Sequence, residues 1–312
     1  MLRMAHRILS HKGPISSCGV NGYLRGFSQE DINVISESAT TLHQAVSPLV
    51  NKSQVIICDN VAEYVSENSA ESFHPSRHSL SVTPPFPLTL LEWSDRSGGS
   101  QVAMLIETTD TNDKDSRERL SGVSFMAIEQ FKEDLTLQSR WVCSCVLYFS
   151  ISGTLAVLPA RIHVFLSESG IVSERLLVVS NVGLSETCGS AFGFAGGVGF
   201  LALAFMNCKN VELHYSPKSS PEDKWLRRMK QPRIQYKVLN INPFKKFAES
   251  TGSGGMVWVV KSLHICKGHF EDHTKGKGLF GKHKVVVWKP AHIRGNANSG
   301  IVVKDYKIGG VP

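Results

Sequence analysis

The stretch WVCSCVLYFSISGTLAVLPARIHVFLSESGIVSERLLVVS, residues 141–180, decides the fold class. It holds three apolar runs, at 142–152, 155–167 and 171–180, parted by glycine and serine breaks. A strand wet on one face would turn polar at every second position. These runs stay apolar and partly β-branched, which predicts strands covered on both faces.

Upstream, TPPFPLTLLEW at 83–93 places three prolines in four positions, so it is no helix interior. It predicts a strand over 88–93 and, past the turn Arg96-Ser97-Gly98-Gly99, a second over 101–107, a hairpin. Residues 108–119 read as a charged linker and 125–135 as a helix. Further back, Ser28 stands before Glu30 and Asp31 as a cap before a first turn. Ile32, Ile35, Leu42 and Val46 follow near helical spacing and predict a helix over 29–46. Asn60-Val61-Ala62-Glu63 repeats that logic for a short helix, and the Ser-, Asn- and His-rich 66–83 reads as a loop.

Downstream, the glycine-rich 185–199 leads into a core helix over 200–206. The apolar run 191–206 has 16 residues, short of the roughly 20 a bilayer requires, and reads as buried. Gly196-Gly197-Val198-Gly199 lacks both the Lys-Ser/Thr of a P-loop and the full GxGxxG spacing, which speaks against nucleotide binding. The start, MLRMAHRILSHKG, has no apolar centre and is not a signal peptide. It reads as an untidy beginning with Met4 as a second initiation point, and an organelle presequence is the alternative.

At 42% hydrophobic and 20% charged residues, wholesale disorder and coiled coils are excluded. The seven cysteines are scattered and form no CxxC pair, which fits a reducing, cytoplasmic setting. Cys143 and Cys145 read as core thiols. The net charge of +7 hides a division. Residues 1–208 carry 14 Lys and Arg against 20 Asp and Glu, whereas 209–312 carry 20 against 7. The expectation is therefore an α+β protein with an irregular N-terminal part, a β-rich middle and a few short helices. An acidic region 1–208 is followed by a basic, His-rich β subdomain 209–312, packed with it as one unit or apart. The basic segment points to a polyanionic partner, RNA sooner than DNA, with no membrane and no cofactor. Residues 1–208 are open to a protein partner.

In the last third, Ser220-Pro221-Glu222-Asp223 opens a short basic helix, and strands are expected over 233–241, 256–266, 285–288 and 301–308. Five histidines fall between 264 and 292: His264, His269, His273, His283 and His292. On a strand ending at Cys266, His264 and Cys266 share a face. The strand through His264 and the strand over 285–288 are expected to be neighbours in one sheet, with a shared cleft between them.

LHICKGHF at 263–270, GLFGKHK at 278–284, VWKPAHIRGN at 287–296 and GIVVKDY at 300–306 carry a resemblance. Together they resemble the tail LHxCRGHFxxYxxxxGLFGxxxGxYWxPxHxRG of an uncharacterised bacterial family found in phage and mobile-element neighbourhoods. PPFPLTLLEW at 84–93 and LALAFMNCKNVE at 201–212 are similar to that family too. The resemblance implies a mobile-element setting and no defined activity. Lys267 stands where the pattern has arginine, His273 where it has tyrosine, and Val286 and Val287 where an aromatic pair is usual.

Four readings of the tail compete. A basic face can bind phosphates through Lys267, Lys275, Lys277, Lys282, Lys284 and Arg294, with Trp288 and Phe280 stacking on bases. A metal-independent ribonuclease needs two imidazoles and a cation. His269 and His292 supply the acid and base, Arg294 the stabiliser, and His264 is a spare. A zinc site would draw on His264, Cys266, His269 and His273, whose spacing matches no established structural zinc pattern. In the last reading the tail only shapes a structural or protein-interaction module. No GxSxG, HExxH or DxDxD motif occurs.

Overall fold

The computed structural model describes residues 3–17, 28–67, 82–94, 100–112, 139–167, 170–178, 192–208, 211–215, 236–241, 262–266, 269–274, 284–289, 292–294 and 296–302, with the single positions 189, 276 and 278. The chain divides into two compact units. The first comprises Met1–Asn207 and Leu213–Leu239, the second Cys208–Glu212 and Asn240–Pro312. The helices expected over 125–135 and after Ser220 lie outside the described residues.

The first unit is built on a mixed sheet. Its strands are β1 (Ser16–Ser17), β2 (Gln54–Ile57), β3 (Leu88–Ser94), β4 (Ser100–Asp110), β5 (Trp141–Ile151), β6 (Thr154–Val157), β7 (Ala160–Ser167), β8 (Gly170–Val178), β9 (Val211–Tyr215) and β10 (Tyr236–Ile241). They run in the order β1-β6-β5-β4-β3-β2-β10-β9, and β7 and β8 branch off β5. β3 and β4 form the antiparallel hairpin that the sequence predicts, and β5 pairs antiparallel with β4.

The branch has a chemical cause. β6 pairs with one half of β5, at Tyr148–Ile151, and β7 with the other, at Trp141–Cys145. The apolar run 155–167, read from sequence as one strand, is two. Pro159 stands between them and has no N–H to continue a ladder. Ser152 and Gly153 make the two-residue turn from β5 to β6 with φ of 49° and 86°. Positive φ at both central residues gives the turn a twist that matches the strands it joins.

Helices cover both faces. α1 (Met4–Ser10) and α2 (Gln29–Val46) pack on one side, where Met4, Ile8, Ala39, Leu42 and Val46 meet Leu90, Leu105, Val146 and Tyr148. α2 spans the predicted residues and opens on a capping box: Ser28 Oγ accepts from Asp31 N, and Asp31 accepts from Ser28 N. α1 shows that the start of the chain belongs to the core rather than being irregular. Glu92, buried in β3, accepts the Ala5 N–H at 2.6 Å and satisfies one of the orphan donors of that first turn. The parallel pair β2 and β3 is bridged by α3 (Asp59–Glu67).

α4 (Gly197–Met206), entered through a turn of π-helix over Phe192–Gly196, is buried along almost its whole length. Gly199 is the contact point. A Cβ there would run into Met104 Cε and come within 3.6 Å of Leu91 Cδ1. The glycine-rich entry thus serves close packing of helix on sheet at this position. No helix among the described residues is long and apolar enough to cross a membrane. The result is an α+β protein in which apolar runs are covered on both faces.

The second unit holds two small sheets. One is the three-stranded β14-β11-β15, with β11 (Ser262–Cys266), β14 (His292–Arg294) and β15 (Asn296–Val302). The other is the hairpin of β12 (His269–Asp272) with β13 (Val286–Lys289). The expected pairing of the His264 strand with the strand over 285–288 is therefore corrected. β11 pairs with β14 and β15, and β13 pairs back on β12. The reason is register: one antiparallel register runs from 264 opposite 294 to 272 opposite 286, so the segment nearest the turn, β12, takes β13, and β11, further from it, takes β14.

Candidate functional site

Register in the second unit gathers some of the tail residues and separates others. In the antiparallel pair β11–β14, His264 stands opposite Arg294, Ile265 opposite Ile293, and Cys266 opposite His292. Residues facing each other across such a pair lie on one face, and the face alternates along each strand. Positions 264, 266, 292 and 294 therefore share one face, and Ile265 and Ile293 the other. His269 is not with them: it pairs with Lys289 in the separate hairpin. His269 and His292, the expected acid–base couple, are not register partners and stand in adjoining ladders, His269 opposite Lys289 and His292 opposite Cys266. His264 joins His292 on one face instead, on the diagonal, about 7–8 Å apart.

The β12–β13 hairpin carries the lysine loop. His273 N donates to Val285 O at 2.9 Å and closes the loop at its base. Gly276 and Gly278 adopt φ of 70° and 78° there, a conformation glycine takes without strain. Lys284 is exposed at the end of the loop. Lys267, Lys275, Lys277 and Lys282 lie outside the described residues, as do His283 and Phe280. His273 Nε2 sits 2.9 Å from Glu271 Oε2, so this imidazole is engaged within the hairpin. Phe270 and Trp288 are register partners.

The charge follows the structural division less sharply than it follows the sequence boundary, because residues 213–239, with 7 Lys and Arg against 2 Asp and Glu, fall in the first unit. The second unit carries 13 Lys and Arg against 5 Asp and Glu, and the first 21 against 22. Residues 213–239 belong to the first unit by their contacts.

The first unit contains a polar row that sequence reading did not single out. Glu107 on β4, Ser144 on β5 and His163 on β7 are successive register partners across three strands. All are buried, and so is Arg161, two residues along β7 from His163. Ser144 Oγ and His163 Nδ1 share a hydrogen bond at 2.8 Å, and Arg161 Nη1 lies 3.9 Å from Glu107 Oε2. Burial, with Arg161 beside it, pushes the His163 imidazole down to about 4. A neutral histidine with 0% exposure is no general base for a solvent-borne substrate. The row ties three strands together.

This arrangement makes folding pH-sensitive. Between the unfolded value near 6.5 and about 4 the unfolded chain takes up a proton on His163 that the folded chain refuses. Its contribution is whole above pH 6.5 and is lost as pH falls toward 4, about 2–3 kcal/mol by pH 4.5. Urea midpoints at pH 7.5 and 4.5 should thus converge in His163→Gln relative to the wild-type chain. An equal acid-induced drop in both proteins contradicts the assignment.

Fold and charge together define an α+β protein joined to a basic β unit. Comparison with protein-family models, with curated proteins and with solved structures found no match to this chain. Among residues whose side chains are described, no group of three or more His, Cys, Asp or Glu is gathered to hold a metal ion.

Proposed function

We propose that the chain binds RNA through its second unit, by phosphate contacts, in a reducing cytosolic setting. The segregation of charge carries this reading: 13 cations against 5 anions on one unit, beside a nearly neutral first unit. Phosphate recognition asks only for cations and accessible backbone N–H groups, and the segment with Lys275, Lys277, Lys282 and Lys284 is dense in cations. Phe270 and Trp288, register partners in the hairpin, are of the aromatic type on which unpaired bases stack, which favours single-stranded RNA over a duplex. Cys58 and Cys143 are buried free thiols, in keeping with a reducing compartment. The tail's resemblance supports a setting in a phage or other mobile element.

Charge reversal tests the reading in the full-length chain. Changing Lys275, Lys277, Lys282 and Lys284 together to Glu should weaken binding to a single-stranded RNA on the order of 100-fold or more. The unfolding midpoint of the first unit should stay in place. Binding that matches the wild-type chain in this variant refutes the loop as the contact surface.

A further inference from the structure

We propose that His264, Cys266 and His292 hold one divalent transition-metal ion, zinc by ligand type, with a fourth position open beside Arg294. The argument rests on backbone placement. Positions 264 and 266 are two apart on β11, about 6.5–7 Å along the strand. Position 292 faces 266 directly across the β11–β14 ladder, where Cβ atoms stand about 4.5–5.5 Å apart. Two histidines and a cysteine on one face of two adjacent strands make a three-donor set of nitrogen and sulfur. Sites of that kind leave room for an exogenous fourth ligand.

Cys266 discriminates between the chemistries open to this face. Acid–base cleavage of RNA uses imidazoles and a cation and has no part for a thiol, whereas a thiolate is a preferred zinc ligand. The set drawn along the chain, His264, Cys266, His269 and His273, is not the one register assembles. His269 belongs to the other sheet, and His273 is engaged with Glu271. Arg294, opposite His264, adds a cation that favours an anionic fourth ligand. The metal claim stands alone. The identity of that ligand, a phosphate oxygen, rests on the RNA-binding reading.

Cobalt(II) titration of the metal-free, full-length protein tests it. The expected result is a thiolate-to-cobalt charge-transfer band that saturates at one equivalent and is displaced by zinc, with the Cys266 proton released on binding. Cys266→Ser should abolish the band. His264→Ala and His292→Ala should each weaken binding by more than about 100-fold, since even the hydrogen-bond partners of metal ligands are worth 10- to 100-fold. His269→Ala and His273→Ala should bind as the wild-type chain does. Zinc protection of Cys266 against alkylation, mapped in the unmutated protein, gives the same answer without any variant.

A missing band and missing protection overturn the proposal, and so does a band lost in His269→Ala but kept in His292→Ala. RNA cleavage that persists without metal and needs both His264 and His292 assigns the face to acid–base chemistry instead. Inorganic phosphate should shift the cobalt spectrum of the wild-type chain but not of Arg294→Ala. An intact band with no phosphate shift removes the phosphate ligand and leaves the metal site standing. A missing band removes the site whatever the RNA affinity.

Discussion

Glu107→Ala should destabilise the first unit by about 3–5 kcal/mol, the largest single effect expected in this chain. Arg161 is 1% exposed, and burial draws its guanidinium down from the usual arginine value while Glu107 opposes that. Among the described residues its Nε and Nη2 find no hydrogen-bond acceptor, so the carboxylate 3.9 Å away supplies the counter-charge. Truncating Glu107 leaves a buried cation without it. Replacing both members, Glu107→Leu with Arg161→Met, should recover most of the loss, because two charges need not then be desolvated. Chemical unfolding of the two proteins at pH 7.5 measures both values. A single variant within 1 kcal/mol of the wild-type chain would mean that Arg161 does not depend on this carboxylate.

That row also marks the limit of what the sequence made legible. The runs at 142–152 and 155–167 read as strands because their apolarity is continuous, and the structure covers both of their faces. Helix α2 was legible to the residue, because Ser28 and Asp31 form a local cap whose chemistry needs no tertiary information. Glu107, Ser144 and His163 were not, since Ser144 and His163 are polar residues within apolar runs and Glu107 stands at the end of one. Only the register of three strands sets them side by side. Glu92 was read as part of a hairpin, which it is, but it also accepts from the Ala5 N–H, 87 residues earlier in the chain.

In the tail, period two was enough to place His264 and Cys266 on one face. It does not choose a partner strand. Several short segments of similar apolarity follow one another between 262 and 302, and alternation alone fits any of them to any other. Hence the strand beside His264 is β14 rather than the one over 285–288, and His269 stands opposite Lys289 rather than His292. The charge division was legible in the sequence, but the boundary of the structural unit was not, because contacts set it: β10 joins the large sheet by pairing in parallel with β2.

The salt dependence of RNA binding by the full-length protein tests the central claim most directly. On the proposed reading, Lys267, Lys275, Lys277, Lys282, Lys284 and Arg294 make six phosphate contacts. For a single strand each contributes about −0.7 to the slope of log affinity against log salt. The account predicts a slope of about −4, roughly a 300-fold loss between 50 and 200 mM salt, and a slope shallower by about 3 when four of the lysines become glutamate. A slope near zero, or one that the lysine changes leave untouched, would contradict it.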